Sequence, residues 1–197
     1  MTNPRTLAAY ESGVEQYLAA LAPAPGAAQA AHREAFAAGL PAAAQVLEIG
    51  SGPGLDADWL QAQGVQVRRT DAAAAFVHRL QRLGHAAERL DVLTDPLGGP
   101  YDGIWANAVL LHLSRAELAP VLSKLHAALR PSGYFGFSVK EGDGERWVPG
   151  KLAQPRYFVY WRPDPLRALL HATGWQQLEL RRARGRQDDW LLVRCRA

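Results

Sequence analysis

One cysteine, one methionine and five phenylalanines are all that these 197 residues hold of those types. A lone Cys195 leaves no partner for an internal disulfide and no thiolate cluster for zinc. No apolar run approaches the roughly 20 residues of a membrane span. The opening Met-Thr-Asn-Pro-Arg-Thr lacks the basic-then-apolar order of a signal peptide. A single sign of charge is missing too: 22 basic residues face 19 acidic ones, a net of +3, well short of a nucleic-acid-binding face. These absences lead us to expect a cytoplasmic protein with neither nucleic acid nor membrane as partner and with no metal; the partner expected instead is a small molecule or a surface group of a macromolecule.

The small excess is local. Residues 179–196 carry Arg181, Arg182, Arg184, Arg186, Arg194 and Arg196 against Glu179, Asp188 and Asp189, which leaves the rest of the chain neutral. Such a cluster reads as a solvated hairpin, with a phosphate or RNA contact as the alternative.

What is present is a globular composition, 48% hydrophobic and 21% charged. The length fits one domain spanning 1–197, with 1–40 as a helical cover and 41–197 as its core. The Ala-rich stretches 6–21 and 27–39 predict helices, split by Pro23 and Pro25. Strands are predicted at 45–50, 65–70, 86–91, 101–106 and 134–140. They alternate with helices at 56–63 and 73–83, closed by Gly64 and Gly84, and with one from the Ser114–Glu117 capping box to Arg130. Residues 141–156 read as a long loop. A helix over 163–173 and two runs, 175–182 and 189–195, complete the chain as a hairpin. Alternation of this kind points to an α/β fold on a mostly parallel sheet.

The densest chemical signal is Val46-Leu47-Glu48-Ile49-Gly50-Ser51-Gly52-Pro53-Gly54-Leu55-Asp56. A buried-type strand ends in Gly-x-Gly-x-Gly and a helix follows, the layout of a nucleotide-binding βα unit. The glycines let backbone approach a ligand closely. Asp71 ends the second strand 21 residues after Gly50, where a carboxylate can accept ribose hydroxyls or cap the following helix. Asp91 ends the third strand and serves equally as a turn residue. Glu48, Asp71 and Asp91 together make the crevice acidic, which suits a cation and repels a pyrophosphate.

These residues, with Leu110-Leu111-His112-Leu113, Ser138-Val139-Lys140-Glu141-Gly142 and Arg156-Tyr157-Phe158-Val159-Tyr160, resemble class I S-adenosylmethionine (SAM)-dependent methyltransferases, in particular small stand-alone methyltransferase domains. The resemblance covers roughly 40–197. Ser51 stands where the family often has cysteine. It implies a Rossmann-like three-layer sandwich whose seven-stranded, mostly parallel sheet has an antiparallel last strand. It also implies SAM as cofactor and S-adenosylhomocysteine (SAH) as product. Glu48, Gly50, Ser51, Gly52, Gly54, Asp71, Ala72, Asp91, Val92, Asn107 and Ala108 are then the expected cofactor residues. Asp91 would accept the adenine amine, and Asn107-Ala108 would border the methionine moiety.

The acceptor side is less marked. His112, just past the fourth strand, is the candidate base; it serves equally as a cover for the cofactor. Tyr17, Lys140, Tyr157 and Tyr160 are candidate acceptor contacts, and alternatively a solvated strand end and core packing. The chain reads Asn107-Ala108-Val109-Leu110 where methylation of a base amine would need Asn/Asp-Pro-Pro-Tyr/Phe. Two other readings stay open. An NAD-linked oxidoreductase would keep the glycines and Asp71, but Leu55 replaces its third glycine. A non-catalytic SAM-binding module would keep the cofactor residues and lack an acceptor pocket.

Overall fold

A computed structural model describes residues 4–22 and 24–197. Met1, Thr2 and Asn3, on which part of the signal-peptide reading rests, and the helix breaker Pro23 lie outside the described residues.

Three helices precede the first strand: α1 (Pro4–Ser12), α2 (Val14–Ala19) and α3 (Ala27–Ala38). The single helix expected over 6–21 is therefore two, parted at Gly13, whose backbone leaves helical geometry at φ −115° and ψ 16°. Then come β1 (Gln45–Ile49), α4 (Leu55–Ala62), β2 (Gln66–Asp71), α5 (Ala74–Arg82), β3 (Ala87–Arg89) and β4 (Tyr101–Ala106). After a 3-10 turn at Leu110–His112 the chain continues through α6 (Arg115–Ala127), β5 (Leu129–Glu141), β6 (Glu145–Val148) and β7 (Arg156–Trp161). It ends with α7 (Pro163–Ala172), β8 (Gln176–Arg184) and β9 (Asp189–Arg196).

Among the described residues the sheet has nine strands, in the order β3-β2-β1-β4-β5-β7-β6, with β9 also pairing β5 and β8 lying outside β9. The expected seven strands are the run β3-β2-β1-β4-β5-β9-β8. β1, β2, β3, β4 and β5 are mutually parallel, and β9 runs antiparallel to β5 from Tyr134↔Arg196 to Lys140↔Trp190. The other two strands correct the loop expected over 141–156. β5 runs on to Glu141, β7 joins its end at Lys140↔Tyr160, and β6 folds back on β7. Only 142–144 and 149–155 remain irregular. The helix expected to reach Arg130 stops at Ala127, because Leu129 is drawn into pairing with Tyr101.

Alternation along the central strands sets the layers. Leu47 and Ile49 of β1, Ile104 and Ala106 of β4, and Phe135, Phe137 and Val139 of β5 face α6 and α7. Val46, Trp105 and Tyr134 face the other way, onto Phe36 of α3 and Leu60 of α4. Gly136 makes room there, since a Cβ on it would stand 2.7 Å from Trp105 and 2.8 Å from Phe36. Each face is thus apolar and covered by helices, as a parallel sheet requires. The C-terminal ends of β1, β2 and β4 remain free of this packing and open beneath α1 and α2.

Candidate cofactor and acceptor site

A cavity of about 300 Å³ lies at those strand ends. Its floor is the glycine turn after β1. Gly50, Gly52 and Gly54 all have positive φ, at 70°, 49° and 88°. Gly50 has no room for a side chain either, since a Cβ would come within 2.3 Å of Val109.

Glu48 sits at the base of this turn, 2% exposed, and among the described residues neither its Oε2 nor Ser51 Oγ has a hydrogen bond of ordinary geometry, although the Ser51 hydroxyl still favours the charged carboxylate. Burial pushes the Glu48 carboxyl up to about 8. A buried acid held protonated with an unused oxygen is waiting for a donor, and a cationic one would ionise it. Asp71, at the end of β2, is buried as well. Its Oδ2 accepts from Gly52 N at 2.8 Å and its Oδ1 from Ala73 N at 2.8 Å. Burial raises its pKa to about 6, against the pull of those two amides. Each oxygen keeps a lone pair for a further donor. The start of α5 does not need Asp71 alone, because Glu11 of α1 accepts from Ala74 N at 2.7 Å and from Ala75 N at 2.9 Å.

A second network fixes the end of β4. Ser138 Oγ donates to Asn107 Oδ1 at 2.6 Å and accepts from Ala108 N at 2.9 Å. Asn107 Nδ2 then donates to Asp56 Oδ2 at 2.9 Å, and Trp105 Nε1 donates to the same oxygen at 3.0 Å. This holds Ala108 at φ 57°, a backbone shape that a non-glycine residue rarely adopts. Asp56 Oδ1 takes Arg33 of α3 at 2.7 Å. Arg33 also lines the cavity, stacks 4.4 Å from the Trp59 ring centroid and leaves its Nε buried without a partner.

The cover closes the other wall. His112 Nδ1 stands 2.6 Å from the Tyr157 carbonyl, which only accepts, so this nitrogen carries the ring proton. Nε2 then accepts from the Tyr10 hydroxyl at 2.9 Å. Burial lowers the His112 pKa to about 3.

Of the expected cofactor residues, Glu48, Gly50, Ser51, Gly52, Asp71, Ala72, Val92, Asn107 and Ala108 all line the cavity. Gly54 stands behind the wall, where a Cβ would meet Leu80 at 2.7 Å. Asp91 is not on the wall: its Oδ1 accepts from Leu93 N at 3.0 Å, the turn role, and Leu90 and Val92 face inward instead. His112 and Tyr17 reach the cavity. Lys140, Tyr157 and Tyr160 do not line it. Lys140 pairs with Asp188 at 2.7 Å, Tyr157 contributes only its backbone, and Tyr160 belongs to the core. His112 meets the cavity with both nitrogens already bonded, which is a weak position for a base.

The charged lining residues missed from sequence are Arg33 and Asp56. Asp56 was in view, as the acid in the first turn of the helix after the glycines. Arg33 lies on an Ala-rich helix, and no local pattern signals where it docks. The arginine cluster also needs correcting at one position. Arg194 is buried, donating to Tyr134 Oη at 3.0 Å and pairing with Glu179 at 2.5 Å.

Residues 21–180 match a methyltransferase domain family. No curated protein matches the chain in sequence. Among solved structures it is similar to the 1,6-didemethyltoxoflavin-N1-methyltransferase of Burkholderia thailandensis, determined with 1,6-didemethyltoxoflavin and SAH. The two share 26% identity over 86% of this chain and 78% of that one, at a TM-score of 0.70. The same fold is found in a DhpI-SAM-HEP complex (20% identity, 98% and 97% coverage, TM-score 0.78). It recurs in the N-methyltransferase NodS of Bradyrhizobium japonicum WM9 with SAH (18% identity, 95% and 97% coverage, TM-score 0.67). With its glycine turn, acidic crevice and antiparallel last strand, the chain belongs to the methyltransferase-domain family, as a class I SAM-dependent member.

Proposed function

We propose that this protein, as one domain, transfers a methyl group from SAM to a small-molecule acceptor in the cavity under α1 and α2. The observation that carries the cofactor assignment is the buried, unpartnered Oε2 of Glu48 at the glycine turn. An ammonium group fits that oxygen in charge and in donor capacity, and a pyrophosphate fits neither. This disfavours the NAD reading, to which the Glu48–Asp56–Asp71 set offers no compensating cation beyond Arg33.

Bound SAM supplies an activated methyl on a sulfonium centre. Glu48 would neutralise the ammonium and Arg33 the methionyl carboxylate. Asp71 would accept the ribose hydroxyls. Ala72, Leu90 and Val92 would flank the adenine, and the Asn107–Ala108 corner would border the methionine chain. Gly50, Ser51 and Gly52 bring backbone close to it. Methyl transfer needs alignment and exclusion of water more than it needs bond-making by the protein. Here α1 and α2 supply the exclusion. The acceptor residues are then Tyr10 and Tyr17 of the roof, with His112 orienting Tyr10. The small-molecule ligands of the Burkholderia relative support this acceptor class.

The test is calorimetric titration of the protein with SAH, SAM and NADH. Binding of the first two, and its loss in Asp71→Ala, is the expected result. NADH binding alone would make the chain an oxidoreductase. SAM binding without methylated product across acids, amines, phenols and thiols would leave a SAM-binding module.

A further inference from the structure

Behind the Tyr10–Tyr17 wall of the cavity stand two cations with no carboxylate partner among the described residues. Arg156, the first residue of β7, is 9% exposed. Its Nη1 donates to the Tyr10 hydroxyl at 3.0 Å, and its Nε is buried without a partner. The guanidinium lies 5.4 Å from the Tyr10 ring centroid and 5.1 Å from that of Phe158. It makes no ion pair with any described residue. Burying a lone cation costs several kcal/mol, so folds rarely keep one without use. Lys151 repeats the pattern from the irregular stretch before β7. Its Nζ rests 3.8 Å from the Tyr17 ring centroid, again with no carboxylate. Lys140, by contrast, is already matched by Asp188.

Tyr10 and Tyr17, the rings on which these two cations rest, both face the cavity. Glu48 and Asp71 suit a cationic cofactor, and Arg156 and Lys151 stand behind the Tyr10–Tyr17 wall, which itself packs on Phe76. A charge-bearing acceptor would be drawn to that wall, because attraction strengthens where water is excluded.

We propose that the methyl acceptor is an acid, held as its oxyanion by Arg156 and Lys151 at the Tyr10–Tyr17 end of the cavity. The group is a phosphoryl, phosphonyl or carboxylate oxyanion, whose shared feature is two or more oxygens for a guanidinium fork. As an acceptor assignment this rests on the methyltransferase reading; as an anion site it stands by itself.

The test uses the full chain labelled with ¹⁵N-arginine, free and saturated with SAH. It is titrated with sodium phosphate in one arm and sodium acetate in another, at ionic strength fixed with sodium chloride. Arg156→Lys identifies the Arg156 Nε–H resonance by its disappearance. The expected result is a saturable shift of that resonance in one or both arms, with an apparent affinity weakened at least 3-fold by Lys151→Gln. Saturation by phosphate alone assigns a phosphoryl or phosphonyl group, and by acetate alone a carboxylate. A resonance that moves no more than in sodium chloride overturns the proposal, as does a response confined to the exposed Arg181, Arg182, Arg184 and Arg186. Should SAH fail to bind, the cofactor reading falls, while the titration of the free protein still decides this one.

Discussion

The hydroxyl of Tyr10, on the first helix, donates to Nε2 of His112 at 2.9 Å across 102 residues of sequence. The same oxygen accepts from Arg156. Tyr10→Phe strands one donor and one acceptor in a buried place, a cost of about 1–3 kcal/mol. For a domain of this size the melting temperature should fall by roughly 3–10 °C. Amide exchange should rise in residues 4–19 and stay unchanged in β1 and β4; calorimetry and hydrogen exchange read the two effects.

Asp71 joins the glycine turn to the start of α5 through Gly52 and Ala73. Asp71→Ala removes the expected ribose acceptor and frees both amides. SAH affinity should drop about 100-fold, equivalent to about 2.7 kcal/mol. Isothermal titration measures it, and circular dichroism checks that the fold persists.

Glu48 makes both binding and stability depend on pH. In the ligand-free fold it stays protonated until about pH 8, whereas the unfolded chain ionises it from about 4.5. The unfolded state therefore holds fewer protons over that window, and stability contributed by Glu48 is lost as pH rises from about 4.5 to 8. Glu48→Gln should flatten that slope in urea midpoints and stabilise the free protein at pH 8 by a few kcal/mol. A cationic ligand should ionise Glu48, so SAM binding at pH 6.5 should release close to one proton. Calorimetry in two buffers of different ionisation enthalpy detects the release, which Glu48→Gln should abolish along with most of the affinity.

Gly50 is constrained twice, by its φ of 70° and by Val109. Gly50→Ala should weaken SAH binding at least 10-fold. Adding Val109→Ala relieves the contact and leaves the backbone strain, about 1–3 kcal/mol. The double variant should recover part of the binding and no more, a coupling that a double-mutant cycle quantifies.

Much of this site was legible because its residues sit at strand ends, and strand ends show in sequence. Val46 to Ile49, the three glycines and Asp71 declare a β-turn-α unit, and the Ser114–Glu117 box forms as expected, with Glu117 Oε2 accepting from Ser114 N at 2.8 Å. What could not be read depends on contacts far apart in the chain. Lys140 fits an active-site strand end until Asp188 of the C-terminal hairpin claims it. Asp91 fits an adenine contact until its own turn takes the carboxylate. β6 is hidden in a Gly- and charge-rich stretch, because it becomes a strand by pairing with β7, which in turn joins the end of β5. Arg33 and Glu11 reach the site from cover helices whose sequence does not report where they dock.

Helix α1 is fastened at several points, through Thr6 to Tyr157 N, Tyr10 to His112, and Glu11 to the first amides of α5, while Gln16 of α2 holds Ala153 N. Each contact is a bond that must part before the deepest occupant of the cavity can leave. The cofactor should then be the first ligand to arrive and the last to depart, so a compulsory order of binding is the expected outcome. Under saturating substrates the turnover number would report how often these latches let go, so loosening them should shorten SAH residence before it alters the rate of the methyl-transfer step itself.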